Sequence, residues 1–211
     1  MKYWVKTSWW LKQLFPKGII WSMPVTDTPT VYLTFDDGPH PTATPYALQQ
    51  LALYNATATF FCIGKNVVEH PDIYKEIVAA GHTTANHTHN HVDGWKLSPT
   101  EYLDNIALAE EHIQGHLFRP PYGHIRPSQV KRMLRSGKPW RIYMWDVLSA
   151  DFDRDITPQQ CLDNVLQHMQ PGTIVIFHDS EKAWDRMSYA LPLVLQHCKQ
   201  QNWQVKALPL H

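Results

Sequence analysis

Seven short apolar runs punctuate this chain, at residues 31–35, 58–62, 82–86, 116–118, 141–147, 173–177 and 204–208, and every gap between them is long enough to hold a helix. Helix candidates fill those gaps at 45–54, 71–80, 99–113, 127–136, 158–169 and 185–200. Their apolar spacing is near 3.6, and several open on Pro, Ser-Pro or Thr-Pro. Strand and helix in repeated alternation predict parallel strands joined by helical crossovers, in either a doubly wound sheet or a closed barrel. The absence of internal repeats and of a Gly/Ser linker, at 211 residues, predicts one compact domain.

Charge narrows the partners. Nineteen Lys and Arg balance nineteen Asp and Glu, so the field that steers proteins to nucleic acid is missing, and no nucleic-acid role is expected. Apolar residues make up 44% of the chain, enough for a core and too many for a disordered polypeptide. Cys62, Cys161 and Cys198 are odd in number and far apart, which suggests neither a disulfide framework nor a thiolate zinc site, and suits a reducing compartment. Lys12 and Lys17 interrupt the early apolar residues and no small-residue cleavage site follows. The expectation is therefore a cytoplasmic or peripheral-membrane protein without a cleaved signal.

The chemistry-bearing residues sit just beyond the apolar runs. Asp36 and Asp37 follow the first, His87 the third, Arg119 the fourth, Asp151 the fifth and His178 the sixth. In parallel α/β folds the carboxyl ends of the strands share one cleft, so five segments converge. In Thr34-Phe35-Asp36-Asp37-Gly38-Pro39, adjacent carboxylates point different ways, so one can hold a cation while the other stays free as a base. His87-Thr88-His89-Asn90-His91 offers two imidazoles four residues apart, and Asp37 supplies a hard third ligand for a site that leaves room for water. In Arg119-Pro120-Pro121-Tyr122-Gly123 the prolines restrict the backbone around Tyr122, whose N–H suits an oxyanion donor. The strand 173–177 delivers His178 where a general acid is expected.

With these residues in view, the chain resembles the NodB-homology polysaccharide deacetylases, carbohydrate esterase family 4. TFDDGP, HTHNH, RPPYG, the WDVLSADF segment and IVIFHD stand in family order, and the resemblance runs from about Val31 to Leu208. It implies a distorted (β/α) barrel of about seven strands and a metal-dependent removal of N-acetyl groups from amino sugars of a poly- or oligosaccharide. It further implies Asp36 as general base, Asp37, His87 and His91 as ligands of a divalent metal, zinc first, and His178 as general acid. Arg119 would orient Asp36, Asp151 would buttress His178, and Tyr122 would give its backbone N–H to the oxyanion. His89 should point away from the metal.

One motif departs from the family's DxxDW: Leu148 replaces the first carboxylate and Phe152 the tryptophan, while Asp151 is kept. That alters the substrate subsite more than the chemistry. The same machinery would serve a deformylase or deacetylase of a lipid-linked sugar, and a sugar-binding module without turnover would keep the cleft. A two-histidine, one-carboxylate iron oxygenase uses the same ligand types but leaves Asp36, RPPYG and His178 without a role.

Residues 1–24 read as an N-terminal extension of the catalytic domain at 25–211. On a helical wheel, Tyr3, Trp4, Trp10, Leu11, Leu14 and Phe15 share an arc that excludes Lys2, Lys6 and Lys12. Such a helix would close the bottom of the barrel, or lie against a membrane through residues 1–20.

Overall fold

The computed structural model describes residues 3–210. In chain order the elements are α1 (Trp9–Lys12), β1 (Ile19–Ile20), β2 (Thr30–Asp36), α2 (Ala43–Leu53), β3 (Thr59–Cys62), α3 (Gly64–Glu69), α4 (Pro71–Ala79), β4 (Thr83–Asn86), α5 (Pro99–Glu110) and β5 (Leu117–Phe118). There follow α6 (Pro127–Leu134), β6 (Arg141–Tyr143), β7 (Val147–Leu148), α7 (Pro158–Leu166), β8 (Ile174–His178), α8 (Trp184–Gln200) and β9 (Gln204–Val205). The strands curl in the order β1-β6-β5-β4-β3-β2-β8-β7, with β9 beside β2, and every strand pair is parallel. This is the distorted (β/α) barrel.

Alternation along β2 builds two cores from one strand. Leu33 and Phe35 face outward onto α2 and α8, with Phe35 stacked on Phe60 at 4.9 Å between centroids. Thr34 and Asp36 face the interior, where Phe61, Ala85, Leu117, Tyr143, Ile174 and Leu208 fill the lower barrel. Helix entry follows the proline signals: Ser98 with Glu101, and Thr157 with Gln160, form capping boxes ahead of α5 and α7, each with proline in the first turn.

Three expectations change. The apolar run 141–147 is two strands, because β6 pairs with β5 while β7 pairs with β8 across the barrel's seam. Sequence 204–208 is a strand only at Gln204–Val205. Beyond it Leu208 enters the barrel, its N–H donating to Thr59 Oγ1 at 2.8 Å, so the bottom is plugged by the tail. The expected N-terminal amphipathic helix does not form: among the described residues of that stretch only Trp9–Lys12 is helical. Residues 5–7 instead lie antiparallel to β7, with Leu148 N–H on Val5 O at 2.8 Å and Thr7 N–H on Asp146 O at 2.9 Å. Lys6 and Lys12 both reach the Asp146 carboxylate, at 2.5 and 2.7 Å. The segment closes the seam as a hook because extended backbone satisfies the free edge of β7, which a helix cannot do.

Candidate active site

Parallel register brings the site together. Asp36 is paired with His178 across β2 and β8, and Asn86 of β4 with Phe118 of β5, so the residues that follow these strand ends lie at one level. Among the described residues seven non-glycine positions have left-handed backbone, and five of them, Asp37, Thr88, His91, Tyr122 and Ala150, belong to the loops that follow β2, β4, β5 and β7. Each is strained by sterics that a rigid scaffold must outweigh.

Asp37, His87 and His91 present ligand atoms that all lie within 4.8 Å of one another. Asp37 Oδ1 is 3.1 Å from His91 Nε2 and 3.7 Å from His87 Nε2. That oxygen is buried and lacks a hydrogen-bond donor among the described residues. His87 Nδ1 lies 2.8 Å from Arg119 O, a carbonyl that can only accept, so the proton sits on Nδ1 and Nε2 keeps its lone pair. Burial pushes the His87 imidazole down to about 4, which keeps it neutral and ligating at neutral pH. Burial opposes ionisation of Asp37, but His91, His178 and His87 outweigh it and hold the carboxyl well below the usual range. A carboxylate oxygen and two imidazole nitrogens converging within 4.8 Å of one another fit a divalent cation. His89 is outside the cluster, packed beside His112 at 5.9 Å.

Asp36 lies at the barrel mouth and is only 2% exposed. Arg119 Nη1 donates to Asp36 Oδ1 and to Thr34 Oγ1, both at 2.7 Å, while Nη2 donates to Met144 O at 2.9 Å. The guanidinium is fully buried, 4.0 Å over the Phe61 ring. One oxygen of Asp36 is thereby fixed and the other, Oδ2, faces His87 Nε2 at 3.7 Å.

His178 is held at both ends by Asp151: its backbone N–H donates to Oδ2 and its Nδ1 meets Oδ1, each at 2.7 Å. Burial alone would lower its pKa, but the Asp151 carboxylate prevails, with smaller help from Asp37 and Asp36, and raises it to about 9. Tyr122 stands beside the cluster at φ 60°, its ring 4.7 Å from His91 and its hydroxyl 3.1 Å from His91 Nδ1. The hydroxyl contact was not foreseen from the sequence, which pointed only to the backbone.

Three further residues escaped sequence reading. Thr34 is the second anchor of Arg119. Asp179 accepts Gly38 N–H at 3.0 Å and the Thr44 hydroxyl at 2.5 Å, and donates its own N–H to Asp36 O at 3.0 Å, tying down the loop that carries both aspartates. A Cβ on Gly38 would stand 2.0 Å from Asp179 Oδ2, so only glycine fits. Arg186 Nε donates to Asp151 O at 2.6 Å, fixing that loop without neutralising its carboxylate. Thr34 and Asp179 each flank a motif residue, which is the one signal that pointed to them.

Known proteins resemble this chain in sequence and in fold. The chain is 31% identical over 199 residues to a peptidoglycan-N-acetylglucosamine deacetylase of Bacillus cereus, covering 92% of each. It is 35% identical over 163 residues to a chitooligosaccharide deacetylase of Bradyrhizobium sp., covering 74% of this chain and 73% of that protein. Its fold superposes, with a TM-score of 0.85 and 29% identity, on a peptidoglycan N-acetylglucosamine deacetylase crystallised with an N-oxidanyl-benzamide compound, covering 95% of this chain and 94% of that one. The sequence model described as polysaccharide deacetylase matches residues 24–138, and with that the chain belongs to the polysaccharide deacetylase family.

Proposed function

We propose that this protein hydrolyses the N-acetyl group of amino sugars in a neutral glycan of the chitooligosaccharide type, using a divalent metal for which zinc is our first assignment. The observation that carries the reading is the convergence of Asp37, His87 and His91 between a carboxylate fixed by arginine and an imidazole fixed by aspartate. Two imidazoles, one carboxylate and open space match the donor set and geometry that catalytic zinc takes.

Asp37, His87 and His91 would hold the cation. A cation there supplies Lewis acidity to the amide carbonyl and to the attacking water. Asp36, with Oδ1 held by Arg119, keeps Oδ2 free to accept the proton of that water as it adds to the carbonyl carbon. The Tyr122 N–H, on a loop stiffened by Pro120 and Pro121, would donate to the charge that develops on the carbonyl oxygen. His178, kept as imidazolium by Asp151, gives its proton to the amine nitrogen as the C–N bond breaks. Acetate and a free amino sugar leave, and no residue is modified covalently.

The test is acetate release from N-acetylglucosamine oligomers and from peptidoglycan, with chelator-treated protein and with zinc restored. Activity lost on chelation and regained with zinc is the expected result. A fully metallated protein that releases no acetate from any N-acetylated glycan would refute the reading.

A further inference from the structure

Beside the metal cluster lies an aromatic cleft of about 280 Å³. The hook builds one wall with Trp4 and Leu11, and Tyr122, Trp95 and Trp145 build the rest. Among the described residues its lining includes no Asp, Glu, Lys or Arg. We propose that this cleft binds a neutral pyranose ring of the same glycan, next to the sugar being deacetylated. The inference rests on the deacetylase reading and adds a subsite in which the hook and Trp145, outside the 24–138 segment that matches the family, join Trp95 and Tyr122 within it.

Continuity with the catalytic centre is direct, because the Tyr122 that contacts His91 through its hydroxyl also lines the cleft. The walls are preset. Trp95 is stacked on His124 at 3.6 Å and 7°, and His124 Nδ1 is 3.0 Å from Asp93 Oδ1. Gly123 lets its loop approach Trp145 so closely that a Cβ would stand 2.9 Å from the indole. On the hook side, Tyr3 donates to Asp153 Oδ2 at 2.7 Å and packs edge-on against Phe152, whose ring in turn packs against His178 at 5.3 Å. The hook is thus registered against the general acid itself.

The occupant follows from the chemistry of these walls. A pyranose has apolar C–H faces and carries its hydroxyls around the rim, so it stacks on aromatic faces while its edges stay wet. Trp4, Trp95 and Tyr122 are 53%, 51% and 59% exposed, which leaves such an open edge. An acyl chain would be only half dehydrated against these walls and would gain correspondingly little from burial. A carboxylate-bearing sugar or a peptide stem would find no cationic side chain in the lining. The lining hydroxyls are already engaged: Thr7 donates to Trp145 O at 3.0 Å, and Tyr3 to Asp153.

The experiment compares kcat/KM on N-acetylglucosamine and its oligomers from dimer to hexamer for the zinc-loaded full chain and its Trp4→Ala, Trp95→Ala and Trp4→Phe variants. In either alanine variant the dimer-to-monomer and hexamer-to-monomer ratios of kcat/KM should fall about fivefold, the effect of one lost aromatic contact. The loss should be carried by KM, with Trp4→Phe restoring most of it and zinc affinity unmoved. Unchanged ratios, or an equal fall on the monomer and on every oligomer, would overturn the subsite while leaving the deacetylase reading intact. No acetate from any oligomer with wild-type protein would remove both.

Discussion

Replacing Asp151 with asparagine preserves the shape of the residue but removes the charge that keeps His178 protonated. Asp151 is fully buried and makes two 2.7 Å contacts to His178. The step from 6.5 to about 9 that the surroundings impose on His178 corresponds to about 3 kcal/mol in favour of the imidazolium. A cation bound at Asp37 offsets the smaller contributions of Asp37 and Asp36, which leaves Asp151 as the main support. With asparagine in its place, burial acts unopposed and the pKa falls toward or below the ordinary value. The sign is definite. A raised pKa means the acid is charged at neutral pH and lost as pH rises through about 9, so the wild-type rate should fall on the alkaline side. In Asp151→Asn that alkaline limb should move down by two pH units or so, so that kcat drops only about twofold at pH 7 but about fiftyfold at pH 9. The assay is kcat against pH between about 5 and 10 on a zinc-saturated enzyme. An alkaline limb left where it was, with kcat at pH 9 within about threefold of wild type, would show that His178 does not depend on Asp151 and would refute the argument.

Other outcomes follow from the same geometry. Asp37→Ala should lose metal and activity together, whereas Asp36→Asn should keep metal and lose at least about a hundredfold in kcat, as metal content and turnover will show. Arg119→Ala leaves the Asp36 charge buried and unpaired, and should lower unfolding free energy by about 3–5 kcal/mol in denaturant titration. Gly38→Ala drives a methyl into Asp179, displaces the aspartate loop, and should weaken zinc binding by titration even where the protein still folds.

The site was more legible than its supports. Asp36, His87, Arg119 and His178 stand next to apolar runs in the sequence, and in a parallel barrel those positions share one face whatever the loop details. Strand 141–147 could not be divided from sequence, because Met144, Trp145 and Asp146 carry no Gly or Pro at the point where the chain crosses the seam. The short α3 was missed because it opens on Gly64, a poor helix former, and stops at the His70-Pro71 junction. The N-terminal misreading has another cause. Trp4, Leu11 and Phe15 do share a side, as helical spacing suggested, but the hook reaches that arrangement by folding back on itself against Trp145. Periodicity measures which side chains need burial, and tertiary pairing with β7 decided the backbone.

The hook has a consequence for how the molecule is assembled. Tyr3 and Lys6 precede their partners Asp153 and Asp146 by 150 and 140 residues. During synthesis the aromatic hook leaves the ribosome long before the strand edge that receives it exists, and it must wait while almost the whole barrel is laid down. Its docking is therefore a late event, and Tyr3, Val5 and Leu11, half-buried once it is done, are in water throughout the interval. Chaperone demand in the cell and aggregation on refolding should both concentrate at this one closure, which also completes the wall beside His178.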